Sequence, residues 1–178
     1  GQPGYISPDG CVGGMANFDW GDELMPLREE LKKNIKTKNI HIIGDADAAL
    51  IAETKFYPNC TGSICMVTIG TGIGVSIFFK GMNGVYTGSR GLVEGGHIIV
   101  EPNGPLCKCG QRGCLEMYCS GTAIGREGNR RDPSVCSAVD VVKKATQGDQ
   151  VHQSVLNDAC KYLAIGCLNL VRNFDPAV

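Results

Sequence analysis

The amino-acid sequence predicts an α/β fold, because predicted strands and helices follow one another along the chain. A β-branched run at 39–43 precedes an Ala-rich helical stretch, and a second strand, Ser63–Ile69, leads through glycines into a third strand at 75–79. The last third of the chain indicates helices, the longest over 151–174, where apolar residues keep near-helical spacing. Strands mixed with helices in this order are typical of an α/β protein.

Other helices are predicted from their starting residues and their apolar faces. Residues 1–21 are rich in Gly, Pro, Asn and Asp and predict turns and short strands. The further helices are expected from Asp22 to about Lys33 (with Leu24, Leu27 and Leu31 on one face), from Asp45 to near Pro58, from Leu115 to about Gly128 and from Ser137 to Gln147.

Length and composition indicate a globular protein of one domain or a little more. The chain has 178 residues, 43% hydrophobic and 20% charged, with a formal net charge of −1. Acidic and basic residues are mixed, so we expect neither a nucleic acid nor a membrane surface as partner. No apolar run approaches the roughly 18–20 residues that span a bilayer. Because the chain starts without methionine and stops where another strand would begin, we expect it to be a fragment.

The stretch Gly96–Glu116, called the Cys/His loop below, holds four residues of the types that bind zinc. Their pattern is His-x9-Cys-x-Cys-x4-Cys, formed by His97, Cys107, Cys109 and Cys114 in a Gly/Pro-rich loop. Zinc takes four N or S ligands at about 2.0–2.3 Å in a tetrahedron. Four protein ligands would close the coordination sphere, which predicts a structural zinc site. The alternative is four unrelated residues in a cysteine-rich chain.

Cysteine usage also bears on the compartment. Ten cysteines less the three candidate ligands leaves seven, at irregular spacing, and Cys65 and Cys167 lie in apolar runs. An odd remainder argues against a disulfide framework, and buried reduced thiols behave as small hydrophobes. We therefore expect reduced thiols and a cytoplasmic protein.

Asp45 is a candidate catalytic base. It lies where the predicted strand 39–43 ends and a helix begins, the edge of an α/β sheet at which ligands usually bind. A carboxylate there can take the proton of a substrate hydroxyl that attacks phosphorus. The alternative is a helix N-cap, whose carboxylate satisfies free backbone N–H groups.

A short glycine turn, Gly70-Thr71-Gly72-Ile73-Gly74, joins two predicted strands. It is too short for a Walker loop and is followed by a strand, so it matches neither a P-loop nor a Rossmann fingerprint. Glycines allow a phosphate to approach the backbone, and Thr71 adds a hydroxyl donor. A plain hairpin turn explains the pattern equally well.

The Cys/His loop resembles the signature of the ROK family (repressors, uncharacterised frames and sugar kinases). The matching positions are Gly96, His97, Cys107, Cys109, Gly110, Gly113, Cys114 and Glu116. The resemblance covers nearly the whole chain, since Gly1-Gln-Pro-Gly4 is similar to the family's G-x-P-G turn and Asn169–Pro176 to the segment before its adenosine loop. The family's first phosphate motif and that adenosine loop would lie outside this chain.

This resemblance implies an actin-like ATPase (ribonuclease H-like), two-lobed sugar kinase, with residues 1–60 in the first lobe and 61–178 in the second. It implies ATP with Mg²⁺, a structural Zn²⁺ and a homodimer or homotetramer. Asp45 would be the base, and the glycine turn would face the nucleotide phosphates through Gly70, Thr71, Gly72 and Gly74. The sugar would contact Gly4, Asp45, Glu94, His97 and Glu116. Glu94 and Glu116 could instead be solvated loop charges.

The expected function is therefore ATP-dependent phosphorylation of a hexose 6-hydroxyl, with glucose as the first candidate. Alternatives are an N-acetylmannosamine kinase, a fructokinase, a sugar-responsive ROK transcriptional regulator and a non-catalytic sugar-binding protein. The family usually reads Asn-Asp-x-Asn around the base, whereas this chain reads Gly44-Asp45-Ala46-Asp47. The preceding Asn normally contacts a sugar hydroxyl, which glycine cannot do, so the sequence leaves the identity of the sugar open.

Overall fold

The computed structural model describes residues 5–13, 24–37, 39–82, 84–88 and 93–178. Strands and helices are mixed along the described residues, as predicted for an α/β protein. In chain order the elements are β1 (Tyr5–Ile6), β2 (Val12–Gly13), α1 (Leu27–Asn34), α2 (Asp45–Glu53), β3 (Ser63–Ile69), β4 (Ile73–Phe79), β5 (Gly84–Val85), α3 (Glu116–Cys119), α4 (Gly121–Arg131), α5 (Ala138–Thr146) and α6 (Gln150–Phe174).

The strands form two small sheets. β1 pairs antiparallel with β2, and the second sheet has the order β3-β4-β5, with β4 antiparallel to β5. β3 has the predicted bounds, while β4 begins at Ile73, two residues before the predicted strand. The connection between these two strands is therefore only Gly70–Gly72.

The chain divides into two compact units made of interleaved segments. The first unit comprises Gly1–Met66, Ser76–Val93 and Ala177–Val178, and the second comprises Val67–Val75 and Glu94–Pro176. A division of the full-length protein at residue 60 stays a prediction. Of the helices in the described ranges, none combines the length and the apolar character needed to cross a bilayer.

The end of the chain is held within the first unit. Ala177 N–H donates to the Ser63 carbonyl at 2.8 Å, and Cys65 N–H donates to the Val178 carbonyl at 2.9 Å. Leu50 of α2 and Ile77 of β4 are fully buried in this unit. The last two residues thus run beside β3.

Helices α4, α5 and α6 build the core of the second unit. Val135, Val141 and Val155 are buried together, and Ile124 and Leu156 pack against them. Ser137 caps α5 by accepting from Asp140 N–H, and Asp149 caps α6 by accepting from Val151 and His152 N–H. The predicted helices at 137–147 and 151–174 are confirmed, each within a residue at its ends.

Two predicted elements of the first unit differ from the structure. The helix expected from Asp22 begins at Leu27, because Met25 exchanges two backbone hydrogen bonds of 2.8 Å with Val12 and cannot also enter a helix; Asp22 itself lies outside the described residues. The strand expected at 39–43 is wrong. A strand needs a hydrogen-bonded neighbour, and in the described part of the chain no backbone pairs with these residues.

The single helix predicted from Leu115 to Gly128 is interrupted at Ser120. α3 ends at Cys119, Ser120 is extended (φ −69°, ψ 157°), and α4 begins at Gly121. The Ser120 hydroxyl accepts from Ala123 N–H at 3.0 Å, and the carbonyl of Met117 accepts from the Arg126 guanidinium at 2.7 Å. These two hydrogen bonds therefore satisfy backbone groups that the end of α3 and the start of α4 would otherwise leave unpaired.

Ion pairs of Glu127 within α4 predict that the second unit loses stability in acid. Hydrogen bonds from Arg130, and then from Arg131, outweigh partial burial and lower the pKa of Glu127 to about 2, below its ordinary value of 4.5. A carboxyl whose pKa is depressed by folding stabilises the fold fully above its unfolded pKa and loses that contribution as pH falls toward the folded pKa. We expect the unfolding temperature to fall as the pH is lowered from about 4.5 to 2. Glu127 should contribute on the order of 1 kcal/mol to the free energy of unfolding after solvent screening.

The measurement is the unfolding temperature by circular dichroism across this pH range. Glu127→Gln removes the titrating group, so the unfolding temperature of this variant should depend less on pH. Glu53→Gln, at an exposed position of α2, is the matched control and should retain the wild-type slope. An equally steep slope in Glu127→Gln would contradict the prediction.

Candidate functional site

The second unit brings the four candidate zinc ligands into one cluster. The ligand atoms of His97, Cys107, Cys109 and Cys114 all lie within 4.8 Å of one another. Nδ1 of His97 is 3.5 Å from Sγ of Cys107, and Sγ of Cys109 is 3.5 Å from Sγ of Cys114. A tetrahedral zinc with Zn–S distances of ~2.3 Å has S···S edges of ~3.8 Å. The spacing and the chemistry of the donors therefore fit a zinc ion.

Backbone hydrogen bonds bend the Cys/His loop so that its thiols converge. Cys107 N–H donates to the Gln111 carbonyl at 2.7 Å, and Gly110 N–H donates to the Cys107 carbonyl at 3.0 Å. Gly110 has a φ of 88°, a conformation that other residues rarely adopt. Leu115 N–H then donates to the Ile98 carbonyl at 2.9 Å, which joins the two ends of the loop.

The close packing of the cluster changes the pKa values of two of its thiols. Burial, followed by the hydrogen bonds to Cys109 and Cys107 and their charges, raises the pKa of Cys114 to about 12. At Cys109 burial also raises the pKa, but hydrogen bonds from the Gln111 backbone, Cys114 and Cys107 together lower it below its ordinary value. None of the ten cysteines forms a disulfide bond.

His97 presents its two ring nitrogens to different partners. Nδ1 faces the Cys107 thiol, while Nε2 is 3.9 Å from Oε2 of Glu94. Burial raises the pKa of the Glu94 carboxyl; a charge on His97 opposes this effect, and the charge of Glu116 adds to it. Glu94 and Glu116 therefore lie close enough to interact, with the histidine beside them.

These three side chains gather at the first residue of β4. A Cβ on Gly96 would lie 2.2 Å from the Ile73 carbonyl oxygen, so only glycine lets the Glu94–His97 segment pack against the strand this closely. Oε2 of Glu116 accepts from Ile73 N–H at 2.9 Å. The connection Gly70–Gly72 leads directly into the same residue. The second unit thus assembles Glu94, His97, Glu116 and the turn around Ile73.

Asp45 lies in the first unit, as the first residue of α2. The N-cap position belongs to Gly44, so the interpretation of Asp45 as the N-cap is wrong. Its carboxylate is exposed and accepts from the neighbouring Ala46 N–H at 2.8 Å. Such an accessible carboxylate is available to a substrate.

Asp47 has a structural partner that the sequence did not indicate. The Ser76 hydroxyl, in a residue only 1% exposed, donates to Oδ1 of Asp47 at 2.6 Å. The two residues are far apart in the chain, and serine in a strand carries no signal of such a bond. Asp47 is therefore held by β4 and differs in environment from Asp45. The remaining predicted sugar contact, Gly4, lies outside the described residues.

Comparison with known proteins gives matches over the whole chain. A family model described as the ROK family matches residues 1–178. The glucokinase of Thermotoga maritima is 34% identical over 197 aligned positions, covering 100% of this chain and 60% of the relative. The N-acetylmannosamine kinase of Vibrio cholerae serotype O1 is 32% identical, and the alignment covers 97% of this chain and 59% of the relative. The xylose repressor of Bacillus subtilis is 31% identical, and the alignment covers 98% of this chain and 44% of the relative.

A solved structure agrees with the family match. A ROK family glucokinase from Streptomyces griseus, in complex with glucose and AMPPNP, matches with a TM-score of 0.84 at 28% identity, covering 98% of this chain and 61% of that chain. The predicted fold, the actin-like ATPase fold of ROK sugar kinases, is thereby confirmed. The chain spans about 60% or less of the length of these curated relatives.

Proposed function

The chain belongs to the ROK family, and on that premise we propose that the full-length protein is an ATP-dependent hexose kinase with glucose as its first candidate substrate. The observation that carries the proposal is the convergence of Glu94, His97 and Glu116 beside the glycine turn at Ile73. Carboxylates and an imidazole are suited to the hydroxyl groups of a sugar, and a glycine turn is suited to phosphate. Kinase relatives at 34% and 32% identity support the assignment.

In the proposed reaction, the sugar 6-hydroxyl attacks the γ-phosphorus of ATP. The bond from that phosphorus to the bridging oxygen breaks, ADP leaves, and the hydroxyl proton passes to the carboxylate of Asp45. Glu94, His97, Glu116 and Gly4 would orient the sugar, and the turn residues Gly70, Thr71, Gly72 and Gly74 would receive the phosphates. Mg²⁺ bound to ATP neutralises phosphate charge, as in other phosphoryl transfers.

Zinc has a structural role in this proposal. His97, Cys107, Cys109 and Cys114 would hold it with a closed coordination sphere, so the ion would take no part in the reaction. Because Nε2 of His97 faces Glu94 while Nδ1 faces the thiols, zinc would fix the ring that borders the sugar. We also propose a homodimer or homotetramer, without nucleic acid or membrane partners. We also propose a cytoplasmic location, because seven cysteines at irregular spacing remain outside the candidate zinc ligands, a pattern that argues against a disulfide framework.

A sugar-responsive regulator is the second candidate, because the xylose repressor is among the relatives. Such a regulator needs a sugar site but needs neither a base nor a phosphate turn, and this chain has both candidate groups. The sequence upstream in the gene distinguishes the two: an Asp-x-Gly-Gly-Thr phosphate motif supports the kinase, and a helix-turn-helix supports the regulator.

Activity and sugar preference are measured together by ADP release from the full-length protein. We expect turnover with glucose to exceed turnover with N-acetylmannosamine or fructose. A larger rate with either of these would reassign the substrate within the family. No turnover with any hexose or amino-hexose, from protein that binds sugar, would overturn the kinase and support a non-catalytic sugar-binding protein.

Gly44→Asn tests the departure from the family pattern. Gly44 has φ −61° and ψ 151°, which asparagine adopts readily, and an added Cβ would lie 3.4 Å from Oδ2 of Asp47, an ordinary contact. The new N-cap should stabilise α2 by about a few tenths of a kcal/mol. An added hydrogen bond to the sugar should lower the KM for the sugar by about three- to tenfold.

Gly81→Asn is the matched control, because its position is exposed and an added Cβ meets no atom within 4 Å. It should leave the KM for the sugar unchanged. A Gly44→Asn variant with the wild-type KM would remove this position from the sugar site.

A further inference from the structure

Residues 116–122, which run from the start of α3 to the start of α4 and are called the α3–α4 segment below, hold the glycine turn by three hydrogen bonds. Gly121 N–H donates to the Gly70 carbonyl at 2.8 Å, and the Thr122 hydroxyl donates to the Thr71 carbonyl at 2.8 Å. Oε2 of Glu116 accepts from Ile73 N–H at 2.9 Å. Residues that are about fifty positions away in the chain therefore fix the backbone of the turn on both sides of Gly72.

Two of these bonds determine which way the peptide groups of the turn face. In a planar trans peptide, the carbonyl and the N–H that follows it point in opposite directions. With the carbonyls of Gly70 and Thr71 bonded to the α3–α4 segment, the N–H groups of Thr71 and Gly72 point away from it. Within the described part of the chain, these two N–H groups and the Thr71 hydroxyl have no hydrogen-bond partner.

This orientation is the one that an anion requires. Successive N–H groups that face the same side form a concave donor site for phosphate, whereas a carbonyl in the same place would repel it. If the Thr71–Gly72 peptide rotated, the Thr71 carbonyl would replace the Gly72 N–H on the open side. The Thr122 hydroxyl opposes that rotation by holding the carbonyl on the protein side.

The contact is close enough to restrict the residues that fit. An added Cβ on Gly72 would lie 2.4 Å from Oε2 of Glu116, and one on Gly121 would lie 2.9 Å from the Gly70 carbonyl oxygen. By contrast, a Cβ on Gly70 would meet no atom within 4 Å. The turn is therefore in tight contact with the α3–α4 segment on one side and open on the other.

We propose that Thr122, with the Gly121 N–H, is a positioning residue for the nucleotide phosphate: it contacts neither substrate but sets the direction of the N–H donors in the glycine turn. The proposal rests on the proposed kinase function, in which this turn receives the phosphates of ATP. It adds a residue outside the family signature, on α4, to the determinants of nucleotide affinity.

The experiment compares Thr122→Val, which removes the hydroxyl but keeps the shape, with Thr122→Ser, which keeps the hydroxyl. In the full-length protein, Thr122→Val should raise the KM for ATP by about five- to tenfold, the usual effect of losing one hydrogen bond, with the KM for the sugar within about twofold of wild type. Thr122→Ser should restore the wild-type KM for ATP. Gly121→Ala should act in the same direction as Thr122→Val, because its Cβ would displace the Gly70 carbonyl.

The matched control is Thr146→Val. The Thr146 hydroxyl is also exposed and also donates to a backbone carbonyl at 2.8 Å, that of Lys143, but it lies at the end of α5. It should leave both KM values unchanged. An unchanged KM for ATP in Thr122→Val, or an equal rise in the KM for ATP and for the sugar, would overturn the positioning role.

A second measurement separates this proposal from the kinase assignment. Calorimetric titration with Mg²⁺ and the non-hydrolysable analogue AMPPNP reports nucleotide binding without turnover. Weaker binding by Thr122→Val, in a protein that phosphorylates no sugar, would support the positioning role and overturn the kinase. A wild-type protein that binds no AMPPNP would overturn the positioning role itself.

Discussion

Full-length protein with Asp45→Asn will bind its sugar but transfer phosphate about 10²- to 10⁴-fold more slowly than wild type, the usual contribution of a general base. The substitution removes the proton acceptor while keeping the size of the side chain. Folding should be unaffected, because Asp45 is exposed and its carboxylate accepts only from the adjacent Ala46 N–H within the described residues. The measurements are kcat by ADP release and sugar affinity by calorimetry.

Asp47→Ala is the matched control for Asp45→Asn, two residues along the same helix. It removes the acceptor of the buried Ser76 hydroxyl, so it should lower stability by about 1–3 kcal/mol. Its kcat should stay near that of wild type at a temperature where it is folded. If the two variants exchanged these effects, with kcat lost in Asp47→Ala and kept in Asp45→Asn, Asp45 would not be the base.

Replacing Cys109 with serine will remove one zinc ion per chain and destabilise the Cys/His loop. Apparent binding energies of structural zinc in small zinc-binding domains are about 10–16 kcal/mol, so losing one of four ligands should have a large effect. We expect a lower unfolding temperature and weaker sugar binding, because Glu94 and His97 lie against the same cluster. Elemental analysis of protein purified without chelator gives the metal content, and strong chelators should reproduce the effects in wild type.

Cys160→Ser provides the control, since Cys160 is an exposed cysteine of α6 outside the Cys/His loop. This variant should keep one zinc ion, the wild-type unfolding temperature and the wild-type sugar affinity. Wild-type protein that contains no zinc would contradict the metal assignment directly.

The elements that the sequence predicts well are those determined by local features. β3 is a largely apolar run, and α5 and α6 each follow a residue whose side chain accepts from the first backbone N–H groups. The Cys/His cluster is also local, since its four ligands lie within 18 consecutive residues, from His97 to Cys114. Residue type and spacing were therefore enough to predict which side chains would converge.

Features that depend on distant residues could not be predicted in this way. The bond between Ser76 and Asp47 and the contacts of Gly121 and Thr122 with the glycine turn join segments 29 to 51 positions apart. The segment 39–43 has the composition of a strand, but strand formation requires a neighbouring backbone. Apolar periodicity also runs past Ser120, although its hydroxyl stabilises a new helix start there.

In the proposed kinase, the interruption at Ser120 would link helix propensity to nucleotide affinity. In one continuous helix, the N–H of Gly121 would donate to the carbonyl of Met117, four residues before it. In the structure, Arg126 occupies that carbonyl, and the N–H of Gly121 is available to the Gly70 carbonyl. A residue at 120 that favours an unbroken helix would therefore withdraw a donor from the glycine turn. The intrinsic conformational preference of a side chain that touches no ligand thus becomes a determinant of how strongly the proposed kinase holds ATP.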